Sequence, residues 1–175
     1  MTSIRAGVPE YDVAVRRRRR VAIGLSVTLG SVVVAYLLVA VVLGRIYSVP
    51  SESMAPGYPP GSHVWATRFG SAKRGQVVII QNPASSGSVL AIRRIVAVEG
   101  DTVSARDGRL RVNGVAVDEP YAQGPTAAIE TSVKIPRDRV FLLGDNRGNS
   151  FDSRGYGARP IGEIVGFVRF GWGGG

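Results

Sequence analysis

A chain of 175 residues with 45% apolar content can build one modest domain and an appendage, but not two large domains. Its formal charge of +9 is uneven, since six arginines before residue 21 outweigh Glu10 and Asp12. With no cysteine and a single histidine, His63, disulfides, thiolate catalysis and cysteine or multi-histidine metal sites are excluded.

Residues 1–15 are polar and aperiodic, which predicts a disordered tail running into Arg16, Arg17, Arg18, Arg19 and Arg20. A basic block can bind nucleic acid, but directly before a long apolar stretch it more often sets membrane orientation. Residues 1–20 are therefore expected to form a basic cytoplasmic tail, and no nucleic-acid partner is expected. The next 24 residues, 21–44, carry no charge. As a helix they reach about 36 Å, enough for a bilayer core of about 30 Å. A cleaved signal is the competing reading, but its apolar region runs only about 7 to 15 residues and ends at a small-residue cleavage site, which is absent here. An uncleaved anchor in the cytoplasmic membrane follows, single-pass, with residues 45–170 outside and in reach of membrane lipid.

Past the anchor, Pro50-Ser51-Glu52-Ser53-Met54 holds two serines in a segment that Pro50 and Pro56 keep from being helical. Such a loop suits a nucleophile, although serines beside prolines usually just make turns. Short strands are predicted at residues 63–66, 76–80, 89–98, 140–143 and 161–170, with loops over 82–88 and 118–134. Within the third strand Arg93 and Arg94 must point to opposite faces, so one faces inward, and a buried arginine needs an anion or several acceptors. Residues 109–117 alternate around Asn113-Gly114, a strong hairpin signal. The segment from Gly144 to Gly155 reads as too polar and glycine-rich for core, and as a loop on which function concentrates. Arg147 stands where a calcium loop would need an oxygen ligand, so that reading fails. Residues 171–175 are expected to form a flexible tail.

Taken together, the anchor, Pro50-Ser51-Glu52-Ser53-Met54, Arg74-Gly75-Gln76-Val77-Val78, Arg93-Arg94 before Gly100-Asp101, and Gly144-Asp145-Asn146-Arg147 through Asp152-Ser153-Arg154 resemble bacterial type I signal peptidases, serine peptidase family S26. The resemblance covers residues 15–170. It implies a mainly β fold, an antiparallel catalytic domain behind one transmembrane helix, acting on signal peptides of exported preproteins and using no cofactor or metal. By position, Ser53 matches the nucleophile and Ser51 the serine that helps the nucleophile's own N–H hold the oxyanion. Met54 matches a packing residue, Ser150 one that positions the general base, and Asp152 and Arg154 a bracing ion pair. Asp145, Asn146 and Arg147 match scaffold of the same loop.

The departure is at the base. The family's lysine position holds Arg93. Burial can lower a lysine pKa into a useful range, but a guanidinium stays charged and cannot accept the serine proton. His63, ten residues after Ser53, is an unconvincing substitute, because a lone histidine without an orienting partner is more often structural. Gln76 also replaces the usual aspartate after Arg-Gly, which is expected to loosen one turn. The expected function is signal-peptide removal by a membrane-bound serine endopeptidase with activity impaired by Arg93. The alternative is a non-catalytic homologue that binds signal peptides or partner proteins.

Overall fold

The computed structural model describes residues 10–81 and 89–174, so the loop expected at 82–88 and the first nine residues lie outside the described residues. The chain divides into two units, residues 1–41 and 42–175. The first is built on helix α1, Glu10–Leu43. This corrects the expected tail, because the arginine run is helical. Arginine is a good helix former, and no proline interrupts residues 10–43. The Ser26, Thr28 and Ser31 hydroxyls each donate to a carbonyl three or four residues back, at 2.8–2.9 Å, so the apolar stretch keeps its polar groups satisfied. Residues Val15–Val39 are long and apolar enough to cross a membrane.

The second unit holds two antiparallel sheets. Seven strands form the larger: β1 (Arg45–Ser48), β2 (His63–Thr67), β3 (Val77–Gln81), β4 (Leu90–Val98), β9 (Arg139–Leu143), β10 (Arg159–Pro160) and β11 (Ile164–Trp172). Their order is β1-β2-β11-β3-β4-β9-β10. The smaller sheet runs β7 (Val115–Ala116), β6 (Arg109–Val112), β5 (Thr102–Arg106), β8 (Ile129–Lys134). Asn113 and Gly114, at φ 55° and 80°, make the expected tight turn between β6 and β7.

Three elements differ from the sequence reading. β8 lies inside the supposed loop 118–134; only Ile129 and Val133 pack inward, too few apolar residues to register as a strand. β1 escaped notice for the same reason, being four residues with a mostly exposed pattern. The expected flexible tail begins as strand, since Gly171 and Trp172 pair with Val64 and His63 of β2, and the Trp172 ring stacks on His63.

Apolar packing locates the site. One cluster, including Val49, Met54, Val64, Val77, Ile79 and Ile92, anchors the Pro50–Met54 loop through the wholly buried Met54. A second joins the sheets by setting Phe141 and Leu143 of β9 against Val103, Leu110 and Val112. The third packs Val78, Ile80, Ile95 and Leu142. Each fully buried side chain of this kind contributes roughly 1.5–3 kcal/mol. Together they fix β4 and β9, whose residues and following loop carry the polar cluster.

Candidate active site

The polar cluster starts from Ser53. After Ser51, extended at φ −136°, residues Glu52–Met54 form one 3₁₀ turn, tighter than the open loop predicted. Burial of Met54 turns the Ser53 side chain inward, where it is 6% exposed, while Ser51 stays exposed. The two hydroxyls lie 3.1 Å apart. The Ser53 carbonyl accepts from the Asn146 N–H at 3.1 Å. Gly144 packs so close to that carbonyl that a Cβ would stand 2.6 Å from it and 2.3 Å from Ser150 Oγ. A glycine is therefore required where the two loops cross.

Arg93 comes to Ser53 from β4. Its Nη1 donates to Ser53 Oγ at 2.8 Å and to the Ile92 carbonyl at 2.6 Å, and its Nη2 to the Phe151 carbonyl at 2.8 Å. The Nε–H is buried and has no partner. Among the described residues no carboxylate pairs with this guanidinium, because Asp152 is held by Arg154 at 2.8 Å on both oxygens. Burial pulls the Arg93 guanidinium below its ordinary value, and Tyr156 and then Asp152 in the neighbourhood offset part of that. The Ser150 hydroxyl, implied to position a base, is buried without a hydrogen bond, and so is that of Tyr156 close to Arg93.

Arg94, on the opposite face, is fully engaged. It makes two bonds to Asp145, at 2.8 and 2.6 Å, and its guanidinium sits 3.9 Å above the Tyr121 ring. Tyr121 donates to Glu119, which grips Arg147 at 2.6 and 2.7 Å. Arg147 in turn donates to the Gly144 carbonyl and to Thr126. Burial works to lower the Arg94 value, but Asp145 outweighs it and the result is raised. Likewise burial works to raise the Asp152 carboxyl, yet the Arg154 bonds and the Gly144 N–H hold it below the ordinary range.

The structure thus brings Ser51, Ser53, Arg93, Asn146 and Ser150 together, with Asp145, Arg147, Asp152 and Arg154 bracing their loop. The segment judged too polar for core is in part buried: Asp145, Arg147, Asp152 and Ser153 are at most 3% exposed, tolerated because each charge is paired, while Gly148, Asn149 and Phe151 stay exposed. Its end folds as the short helix α2, Ser153–Tyr156, capped by Asp152. His63 lies in β2, exposed and stacked on Trp172, with no bond to Ser53. Gln76 does not loosen its turn; its amide donates to Val77 and Val168 carbonyls at 2.8 Å, tying β3 to β11. Glu119, Tyr121 and Tyr156 were missed. The only available signal was an aromatic and an acid placed together in an otherwise aperiodic stretch, which does not specify a partner.

The family described as signal peptidase, peptidase S26, matches residues 22–172. Among curated proteins the chain is 37% identical over 132 residues to thylakoidal processing peptidase 1 of Arabidopsis thaliana, covering 68% of this chain and 39% of that protein. It is 31% identical to signal peptidase I of Leptolyngbya laminosa, over 82% of this chain and 76% of the relative. Against signal peptidase I T of Bacillus subtilis it is 32% identical, over 80% and 81%. A crystal structure of a signal peptidase I from Enterococcus faecalis aligns with 58% of this chain and 99% of its own, at TM-score 0.48 and 24% identity.

Proposed function

We propose that this chain, which belongs to the signal peptidase family, peptidase S26, removes signal peptides from exported preproteins at a membrane, at a rate limited by Arg93. By family it is a signal peptidase I-type serine hydrolase. In this reading Ser53 Oγ attacks the scissile carbonyl, and Ser51 Oγ with the Ser53 N–H holds the oxyanion; each such donor typically lowers the barrier by about 2.7–4 kcal/mol. Ser150, Asp152, Arg154, Asp145, Asn146 and Arg147 support the loop. Helix α1 anchors the chain, its amino terminus cytoplasmic and residues 45–170 on the far side, with the arginines ahead of the apolar run supporting that orientation.

The observation that carries the reading is the contact of Ser53 with both Ser51 and Arg93. The same observation supports the second reading, a homologue that binds signal peptides or partners without cutting. A guanidinium N–H donates into the Ser53 oxygen, where catalysis needs an acceptor for the serine proton. Loss of a positioned base costs about 10²- to 10⁴-fold.

The test is cleavage of a preprotein by the full chain in detergent, comparing wild type, Ser53→Ala and Arg93→Lys. The expected result is slow cutting by wild type, none by Ser53→Ala, and a gain of about 10²-fold or more with Arg93→Lys. Cutting by Arg93→Lys alone selects the binding reading. If Arg93→Lys is inert too, or Ser53→Ala cuts as wild type does, the assignment of Ser53 fails.

A further inference from the structure

Arg93 is a buried cation that no carboxylate pairs with among the described residues. Its residue exposure is 6%, its Nε–H is unsatisfied, and its formed bonds go to two carbonyls and a hydroxyl, all neutral. Taking a guanidinium out of water costs several kcal/mol unless an anion meets it, so the position favours any anion that can approach. Approach is open where Ser51 and Glu52 are exposed, whereas the Ser150 and Tyr156 hydroxyls of the same cluster are buried. A ligand arriving there meets the Ser51 and Ser53 hydroxyls first and the Nη1 of Arg93 directly after.

We propose that this site is a receptor for the carboxylate at the carboxyl terminus of a peptide, the group that a signal peptide acquires only once it has been released from its preprotein. One carboxylate oxygen takes the Ser51 and Ser53 donors, and the other accepts the Nη1–H now directed at Ser53 Oγ. A neutral peptide carbonyl crossing the same place can accept a hydrogen bond from the guanidinium but brings no charge to neutralise it, so it gains less than a carboxylate. A lysine positioned as neutral base would discriminate far less, because it carries no charge when it works. The arginine thus shifts the preference of the site from the uncut chain to the cut one. The inference rests on the peptide-binding reading given above.

The test is fluorescence anisotropy with the full chain in detergent and three amino-terminally labelled peptides. One is a signal peptide ending in Ala-x-Ala with a free carboxylate, the second is the same peptide amidated, and the third extends past the cleavage site with an N-methylated scissile bond. The free acid is expected to bind about 10-fold or more tighter than the amide, as for a charge-assisted contact in a shielded site. Arg93→Gln should bring the two within about 2-fold, and Arg93→Lys, uncharged where it serves as base, should also lose most of the preference. Thermal unfolding of both variants checks that they fold, and Arg93→Lys preserves the test if Arg93→Gln does not. Equal binding of acid and amide by wild type, with the extended peptide still bound, overturns this inference alone. If none of the peptides binds, the peptide reading falls with it. Acetate and phosphate serve as competitors; if either matches the peptide acid in affinity and depends on Arg93, the site takes small anions and the peptide assignment is wrong.

Discussion

Two neighbours on β4 are the same residue in opposite electrostatic situations. Arg94 has a carboxylate on two of its nitrogens, an aromatic face beneath it, and a relay through Glu119 to Arg147 that ends at the Gly144 carbonyl. Arg93 has carbonyls, a hydroxyl and one idle N–H. The alternation of a strand sends consecutive side chains to opposite faces, so a single residue step separates a structural ion pair from an uncompensated charge. A buried charge that is paired holds a fold together. An unpaired one is a cost that stability alone does not explain, and it lies next to the Ser53 hydroxyl.

The largest expected effect comes from making Arg94 resemble Arg93. Asp145→Asn leaves the guanidinium, only 13% exposed in its side chain, without its anion. Breaking a buried pair on one side costs about 3–5 kcal/mol. Denaturant unfolding of the full chain in detergent should show that loss, and a loss below about 1 kcal/mol would mean that the pair does not hold the loop. The converse change is smaller and of opposite sign. Arg93→Met replaces an unpaired buried charge by an apolar side chain of similar length, and should raise stability by about 1–4 kcal/mol while eliminating any preference for a carboxylate. If Arg93→Met destabilises as Arg94→Met does, the two sites are electrostatically alike and the contrast is false.

How much of this the sequence revealed follows the same division. Strands with β-branched or alternating residues, such as β3 and the β6–β7 hairpin, were readable because their pattern is local. The opposite facing of Arg93 and Arg94 was readable too, from period two alone. What was not readable depends on pairing across distance: Gln76 reaching Val168, Tyr121 under Arg94, and the Arg94 guanidinium and Glu119 carboxylate that allow Asp145 and Arg147, respectively, to be buried. A polar, glycine-rich run looks like a solvated loop until its partners are known. β8 and β1 were missed because edge strands need only one or two apolar anchors.

A second ion pair completes the comparison at its weaker end. Asp101 accepts from both Nε and Nη2 of Arg74, and also from the Val98 N–H and the Asn113 amide. The Arg74 bond, opposed in part by burial, holds its carboxyl down at about 2 from an ordinary 3.8. A folded-state value below the unfolded one means that the stabilisation is fully present above 3.8 and is lost as pH falls through about 2. Because Arg74 is half exposed, solvent screens the pair and its contribution is about 1 kcal/mol, well under that of Arg94 and Asp145. Asp101→Asn should therefore be about 1 kcal/mol less stable than wild type near pH 5, and the gap should close as unfolding is measured down to about pH 2. A gap that persists at the acid end would assign the effect to the lost hydrogen-bond geometry, not to the charge. That outcome would place Asp101 with the neutral acceptors around Arg93 and leave Asp145 as the only one of the two carboxylates whose charge stabilises the fold.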